Sequence, residues 1–220
     1  MTGDAAHELR SPLTAIKTHL QVAQMTDGAA RDKALAQAEA GADRLHRTLE
    51  QLLLLARVEG SLSFDDGVQC DAHQVARLAI QDAAHGDEAR IVLSVSPSVS
   101  SASLEMPAVL AIAALRNLLD NALRHAPADT RVELTLQTQG GQAHFCVRDH
   151  GPGIPETDLD KLTQRFWRNG KSPGAGLGLA IVQAIVQRCG CSLRFDSRPD
   201  GLRVELQMPL RGSATTPLGV

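Results

Sequence analysis

The side chains of this 220-residue chain that could do chemistry lie in four short stretches. The first is Asp4-Ala-Ala-His7-Glu8-Leu9-Arg10-Ser11-Pro12-Leu13. A neutral imidazole nitrogen is a fair nucleophile near pH 7. Glu8 could accept the other ring proton of His7 and make that nitrogen more basic. Pro12 removes a backbone hydrogen bond and should bend a helix close to His7. An exposed histidine on a helix is, taken alone, usually solvated, and His19 and His46 are read so.

The second stretch runs from Arg116 to His125 and contains Asn117, Asp120, Asn121 and Arg124. Asn117, Asn121 and Arg124 fall at i, i+4 and i+7, on one helical face. Two carboxamide oxygens and a guanidinium on an otherwise apolar helix suit a hydrated Mg²⁺ bound to phosphates. The third stretch is Asp149-His150-Gly151-Pro152-Gly153-Ile154-Pro155. A carboxylate ending a strand can accept from an exocyclic amine such as that of adenine, and the glycines permit close approach to a flat ligand.

The fourth stretch, Gly174-Ala175-Gly176-Leu177-Gly178-Leu179, opens a helix whose bare N–H groups can hold anions. It is not the dinucleotide pattern, because Leu179 stands where that pattern has a glycine. Gly170-Lys171-Ser172 is not a P-loop ending, because Arg165 occupies the upstream glycine position. Between the third and fourth stretches, Glu156 to Pro173 is polar and carries Phe166, Trp167, Arg168 and Lys171; it reads as a mobile lid.

The elements that must position these groups follow from periodicity. Asp4 to about Gly28 is helical. From about Ala30 to Glu59, residues Leu35, Ala38, Ala42, Leu45, Leu49, Leu52 and Ala56 alternate spacings of 3 and 4, a heptad seam. Thr26-Asp27-Gly28 turns the chain between them. Two helices cannot enclose two apolar stripes, so the hairpin is expected to complete a four-helix bundle with a second copy as a homodimer. The alternative packs it on the rest of its own chain.

Gly60 to Gln69 is a polar connector. Beyond it the pattern predicts a helix capped by Asp71 and reaching Ala84, a strand over 90–96, and a helix from Pro107 to His125. Hairpins are predicted over 131–139 with 142–149 and over 192–196 with 202–207, flanking a helix over 177–188. The expected fold class is α+β: an N-terminal antiparallel helical hairpin, then an α/β sandwich with antiparallel strand pairs and helices on one face. The expected division is 1–62, 63–210 and a disordered tail over 211–220.

Composition removes several classes. A net charge of -3 gives no broad basic surface, and aromatics make up only 2%. Both disfavour nucleic acid as a partner. The longest apolar run, Ala108 to Leu115, is far below the ~18–20 residues of a membrane span, and no signal peptide is expected at the N-terminus. Four cysteines without a CxxC pair read as reduced thiols of the cytosol rather than as staples or a metal site.

In their order, these stretches resemble the catalytic core of bacterial sensor histidine kinases, over about residues 4–210. The His-Glu-Leu-Arg-Ser-Pro-Leu-Thr and Asn-Leu-Leu-Asp-Asn-Ala stretches carry most of the likeness. The first also looks like the quorum-sensing and polymyxin-resistance sensor kinases. The resemblance implies a dimerization and phosphoacceptor hairpin followed by a Bergerat-type ATP-binding domain. It implies that His7 accepts a phosphoryl group, that Glu8 is the neighbouring base, and that Ser11 holds a position tied to phosphatase activity. Asn121 would hold Mg²⁺, with Asn117, Arg124 and His125 lining ATP. Asp149 would read adenine beside Gly151, Gly153 and Ile154. Phe166 marks the lid motif, followed by Arg168 and Lys171. Gly174, Gly176, Leu177, Gly178 and Leu179 would flank the phosphates. The implied acceptor is an aspartate of a response regulator receiver domain. The implied setting is the cytoplasmic part of a membrane sensor of the bacterial inner membrane.

Overall fold

The computed structural model describes residues 2–60, 64, 70–84, 88–99, 102–168 and 175–212, with backbone alone for 2–8. Most of the connector and the tail over 213–220 lie outside the described residues. Helix α1 (Thr2–Met25) contains Pro12 and turns at Thr26-Asp27 into α2 (Gly28–Glu59). The Thr26 hydroxyl donates to the Val22 carbonyl at 2.8 Å and closes the first helix.

Each helix of the hairpin shows an inward and an outward apolar row. Ala23, Ala34, Ala38 and Gly41 are buried between the helices. Gly41 is required there: a Cβ would lie 2.8 Å from Ile16 Cγ1. The heptad seam therefore divides. Ala38, Leu45 and Leu52 turn toward the rest of the chain, whereas Leu35, Ala42, Leu49 and Ala56 are exposed. Leu13 (57%) and Leu20 (43%) extend the exposed row on α1.

The second region is a five-stranded sheet covered by helices. Its elements are α3 (Ala72–Ala84), β1 (Ile91–Val95), α4 (Ala108–His125), β2 (Val132–Gln139), β3 (Gln142–Arg148), α5 (Glu156–Leu159), α6 (Gly178–Cys189), β4 (Ser192–Arg198) and β5 (Gly201–Pro209). The strand order is β1-β2-β3-β5-β4. Contrary to the expectation of antiparallel pairs throughout, β1 runs parallel to β2. A parallel pair needs a crossover, and α4 supplies it. The two predicted hairpins form, the first at Gly140-Gly141, where both residues adopt positive φ (58° and 77°).

Strand β2 alternates as its sequence does. Val132, Leu134 and Leu136 are buried while Glu133, Thr135 and Gln137 are exposed. Leu134 pairs with Val147 and Leu136 with Phe145, which pairs in turn with Leu206. This face meets Leu110, Leu115, Leu118 and Leu119 of α4 and Ile181 and Ile185 of α6 in one continuous core. Asp71 Oδ1 accepts the Gln74 N–H at 2.9 Å and caps α3.

The hairpin docks on this domain through the end of α2. Arg188 of α6 donates to the carbonyls of Val58 (2.8 Å) and Gly60 (2.6 Å), capping the helix C-terminus with a cation. Arg165 pairs with Glu59. The guanidinium carbons of Arg57 and Arg188 lie 5.1 and 5.0 Å from the centroid of the Phe64 ring.

Candidate active site

Between hairpin and sheet domain lies a cleft of about 960 Å³. Helix α4, the segment after β3 and the start of α6 form one side of it. Ser11, Pro12 and Ala15 of α1 and Arg44, Arg47, Thr48 and Gln51 of α2 form the other.

Asp149 is 3% exposed at the end of β3. Its Oδ1 accepts the N–H groups of Gly151 (2.8 Å) and Leu202 (3.2 Å), which fix the carboxylate. Oδ2 takes no hydrogen bond from the described residues, so an amine donor in the cleft could be received there. The glycines beside it serve a purpose besides the expected one. A Cβ on Gly151 would lie 2.7 Å from the His125 carbonyl oxygen, and one on Gly153, at φ +70°, would collide with the Arg198 carbonyl. These glycines let the strand end pack against α4 and β4. Gly153 also lines the cleft. Ile154 is held alongside by its N–H bond to Ser197 Oγ at 2.6 Å.

The two asparagines of α4 differ. Asn117 is 3% exposed, donates to the Ala113 carbonyl at 2.8 Å, and accepts from Gln51 Nε2 at 3.4 Å. Gly178 lies directly over it, where a Cβ would be 3.0 Å from Asn117 Oδ1. Asn121, one turn on, lines the cleft half-buried, and its carboxamide bonds to none of the described residues. Arg124 and His125 complete the row. Desolvation in the cleft lowers the Arg124 guanidinium below its ordinary value; Asp120 opposes this, while Arg47 and Arg168 add to it. Desolvation, then Arg124, pushes His125 below the ordinary histidine value, with Asp149 pulling the other way. The neutral form of His125 is thereby favoured.

The lid motif is anchored at both ends. Phe166 adopts φ +63°, and its N–H donates to the Gly176 carbonyl at 2.9 Å. Gly176, itself at φ +67°, passes so close that a Cβ would lie 2.7 Å from the Trp167 carbonyl oxygen. Phe166 packs on the core rather than lining the cleft, whereas Arg168, Gly176, Leu177, Gly178 and Leu179 do line it. Lys171 and Gly174 lie outside the described residues. His7 and Glu8 fall within α1. Their side chains lie outside the described residues, and Ser11, Pro12 and Ala15 are the α1 residues that line the cleft.

The comparisons with known proteins agree with this two-part site. Residues 1–61 match the His Kinase A (phospho-acceptor) domain, and residues 108–212 match the histidine kinase-, DNA gyrase B- and HSP90-like ATPase family. The chain carries the two domains of a histidine kinase core. Among relatives of this kinase core, sensor protein QseC of Escherichia coli K12 is 37% identical over 205 residues, covering 91% of this chain and 45% of that protein. Sensor protein kinase PmrB of Pseudomonas aeruginosa is 32% identical over 217 residues, covering 94% and 44%. The chain thus spans less than half the length of these relatives. A mycobacterial sensor histidine kinase MprB structure matches with a TM-score of 0.58 at 29% identity, covering 66% of this chain and 99% of that one. The Acinetobacter baumannii histidine kinase AdeS shares the fold with a TM-score of 0.69 at 23% identity, covering 94% and 98%.

Several cleft residues of the kinase core are not legible from its motifs. Gln51, Arg44 and Arg47 come from the hairpin, where heptad spacing marks them only as non-core. Leu202 enters from β5 and holds Asp149 through its backbone. The thiols stay apart from the site: burial raises Cys146 and Cys189 and lifts Cys191 to about 12, so all three are poor nucleophiles. Among the described residues no cluster of three or more His, Cys, Asp or Glu could cage a metal ion, and no helix is long and apolar enough to cross a membrane.

Proposed function

We propose that this chain transfers the γ-phosphoryl group of ATP to His7 and passes it to an aspartate of a response regulator receiver domain. The observation that carries the reading is a shared cleft. Asp149, Asn121 and the start of α6 line it on one side, and Ser11, Pro12 and Ala15 of the helix that carries His7 line it on the other.

Asp149 Oδ2 receives the exocyclic amine of adenine. Phosphates lie along Arg124, Arg168 and the N–H groups of Gly176 and Gly178 opening α6, with Lys171 and Gly174 assigned to the same role by resemblance alone. A ring nitrogen of His7 forms a bond to the γ-phosphorus as the bond to the bridging oxygen breaks. ADP leaves with that electron pair. Glu8 stabilises the imidazole as it becomes cationic. In the second step a regulator carboxylate oxygen attacks the same phosphorus, and the histidine nitrogen is the leaving group. Placement and electrostatics do most of the work in such transfers.

Mg²⁺ fits this donor set. The ion keeps several waters and needs one or two protein oxygens besides substrate phosphates, and the unbonded Asn121 carboxamide offers one. When bound, it supplies charge neutralisation at the phosphates.

The exposed row of Leu13, Leu20, Leu35 and Leu49 supports a homodimer through the hairpin, residues 1–62, with the ATP-binding domain following over 63–210. Ser11, which lines the cleft, fits regulator dephosphorylation by the same hairpin. The relatives are sensor proteins of about twice this length, which supports a cytoplasmic place for this portion within an inner-membrane sensor.

The test is incubation with γ-labelled ATP and Mg²⁺. Acid-labile, base-stable label is expected on the chain and is expected to vanish in His7→Gln. Label persisting in the variant would reject His7 as the acceptor.

A further inference from the structure

The cleft contains cations that the functional reading does not use. Arg44 and Arg47 project from α2, the second helix of the hairpin, toward the ATP-binding side. Arg44, Thr48 and Gln51 fall at i, i+4 and i+7, one stripe of that helix, and Gln51 already reaches Asn117. Arg47 bonds only the Asp43 carbonyl of its own helix, through Nε at 3.3 Å. Neither arginine has a carboxylate partner among the described residues. Glu50 of this helix lies 3.4 Å from His46 Nε2.

Three acids line the cleft with these arginines, Glu50 beside His46 and two that serve other groups. Asp149 is held at the far end by two backbone N–H groups. Asp120 acts on Arg124. Arg124 and Arg168 stand across the cleft, and the Arg124 guanidinium is lowered first by desolvation, with Asp120 opposing and Arg47 and Arg168 adding to it. Cations from three separate segments thus line one open cleft. Such crowding is unfavourable unless a polyanion joins them.

The geometry points to Arg47, with Arg44, as the hairpin's own contact to the terminal phosphate of bound ATP. This rests on the reading under Proposed function. There the base end of the nucleotide is at Asp149, and the phosphate that reaches the hairpin is the one His7 takes. A guanidinium on the acceptor's own helical hairpin ties hairpin closure to the presence of that phosphate. ADP, lacking it, leaves the two arginines unneutralised.

The test uses the full chain with both arginines changed (Arg44→Gln, Arg47→Gln). Three quantities are read: the rate of His7 labelling at saturating ATP, the ratio of ATP to ADP affinity, and the rate of transfer from labelled chain to regulator. Labelling should fall by about tenfold or more, and the affinity ratio should narrow by about tenfold, the scale of one charge-assisted phosphate contact. Arg47→Lys should restore part of the rate. Arg31→Gln, which removes one arginine charge from the same helix away from the cleft, should alter nothing. Equal losses for ATP and ADP overturn the inference. So does an unchanged labelling rate with slowed transfer, which would make these arginines a regulator contact. If the unsubstituted chain takes no label, the functional reading fails and this inference with it. If that chain is labelled and the double variant matches it, this inference alone fails.

Discussion

The hairpin and the sheet domain handle apolar surface in opposite ways. Phe145, Leu134, Leu136 and Leu206 of the sheet are at most 1% exposed, whereas Leu35 and Leu49 of the hairpin remain 42% and 41% exposed. A sheet with one polar face and one helix-covered face closes its own core. A two-helix unit has a second stripe left over. One region is complete within a single chain while the other leaves an apolar row exposed, the face proposed for the homodimer, so damage to each should be read by a different experiment.

The largest effect should come from Leu35→Asp combined with Leu49→Asp. Burying a leucine is worth ~1.5–3 kcal/mol, and both protomers lose two, so the dimer dissociation constant should rise by on the order of a thousandfold or more. Sedimentation velocity reads this, and ATP affinity of the variant should stay unchanged. A variant that remains dimeric would break the contrast. Next, Phe145→Ala should cost about 3–5 kcal/mol in urea unfolding of the sheet domain, with dimerization retained.

A matched pair of glycines sharpens the picture within the sheet domain. Gly190 ends α6 at φ +63°, and nothing lies within 4 Å of where a Cβ would stand, so Gly190→Ala should cost about 1 kcal/mol of left-handed strain. Gly153 has nearly the same φ but meets the Arg198 carbonyl. Gly153→Ala should therefore destabilise more and also weaken ATP binding by displacing Asp149. Equal melting-temperature losses for the two would show that the close approach carries no weight.

The smallest effect concerns His125. Its folded-state value lies below the ordinary 6.5, so the unfolded chain takes up the proton first as pH falls. Its contribution to stability is thus fully present above pH 6.5 and is lost as pH drops through the folded value. In His125→Gln the fall in urea midpoint between about pH 7 and 5 should be shallower than in the unsubstituted chain. Identical slopes would remove His125 from the account.

Much of this was legible in residue order. Alternation placed β2, β3 and β5, and Gly140-Gly141 announced the turn between the first two. The parallel β1–β2 pairing was not legible, because period-two patterns give a strand's faces but not its neighbour's direction. The heptad seam was read as one stripe. Spacings of 3 and 4 do not tell whether Leu35 and Ala38 meet the same partner, and they do not. Asn117 and Asn121 share a face by arithmetic, yet Gly178 covers only the first, a contact made across 61 positions of sequence. Arg44 and Arg47 escaped notice because a polar residue outside a seam looks the same whether it faces water or a cleft.

The bond from Phe166 to Gly176 has an evolutionary consequence. It fastens both feet of the intervening loop to the domain, so the span between them can gain or lose residues without moving the feet. Closing a loop twice as long costs only about 0.6 kcal/mol more. Insertions and deletions should therefore accumulate here more freely than anywhere else around the nucleotide, leaving cover length open to drift while the floor beneath stays constant.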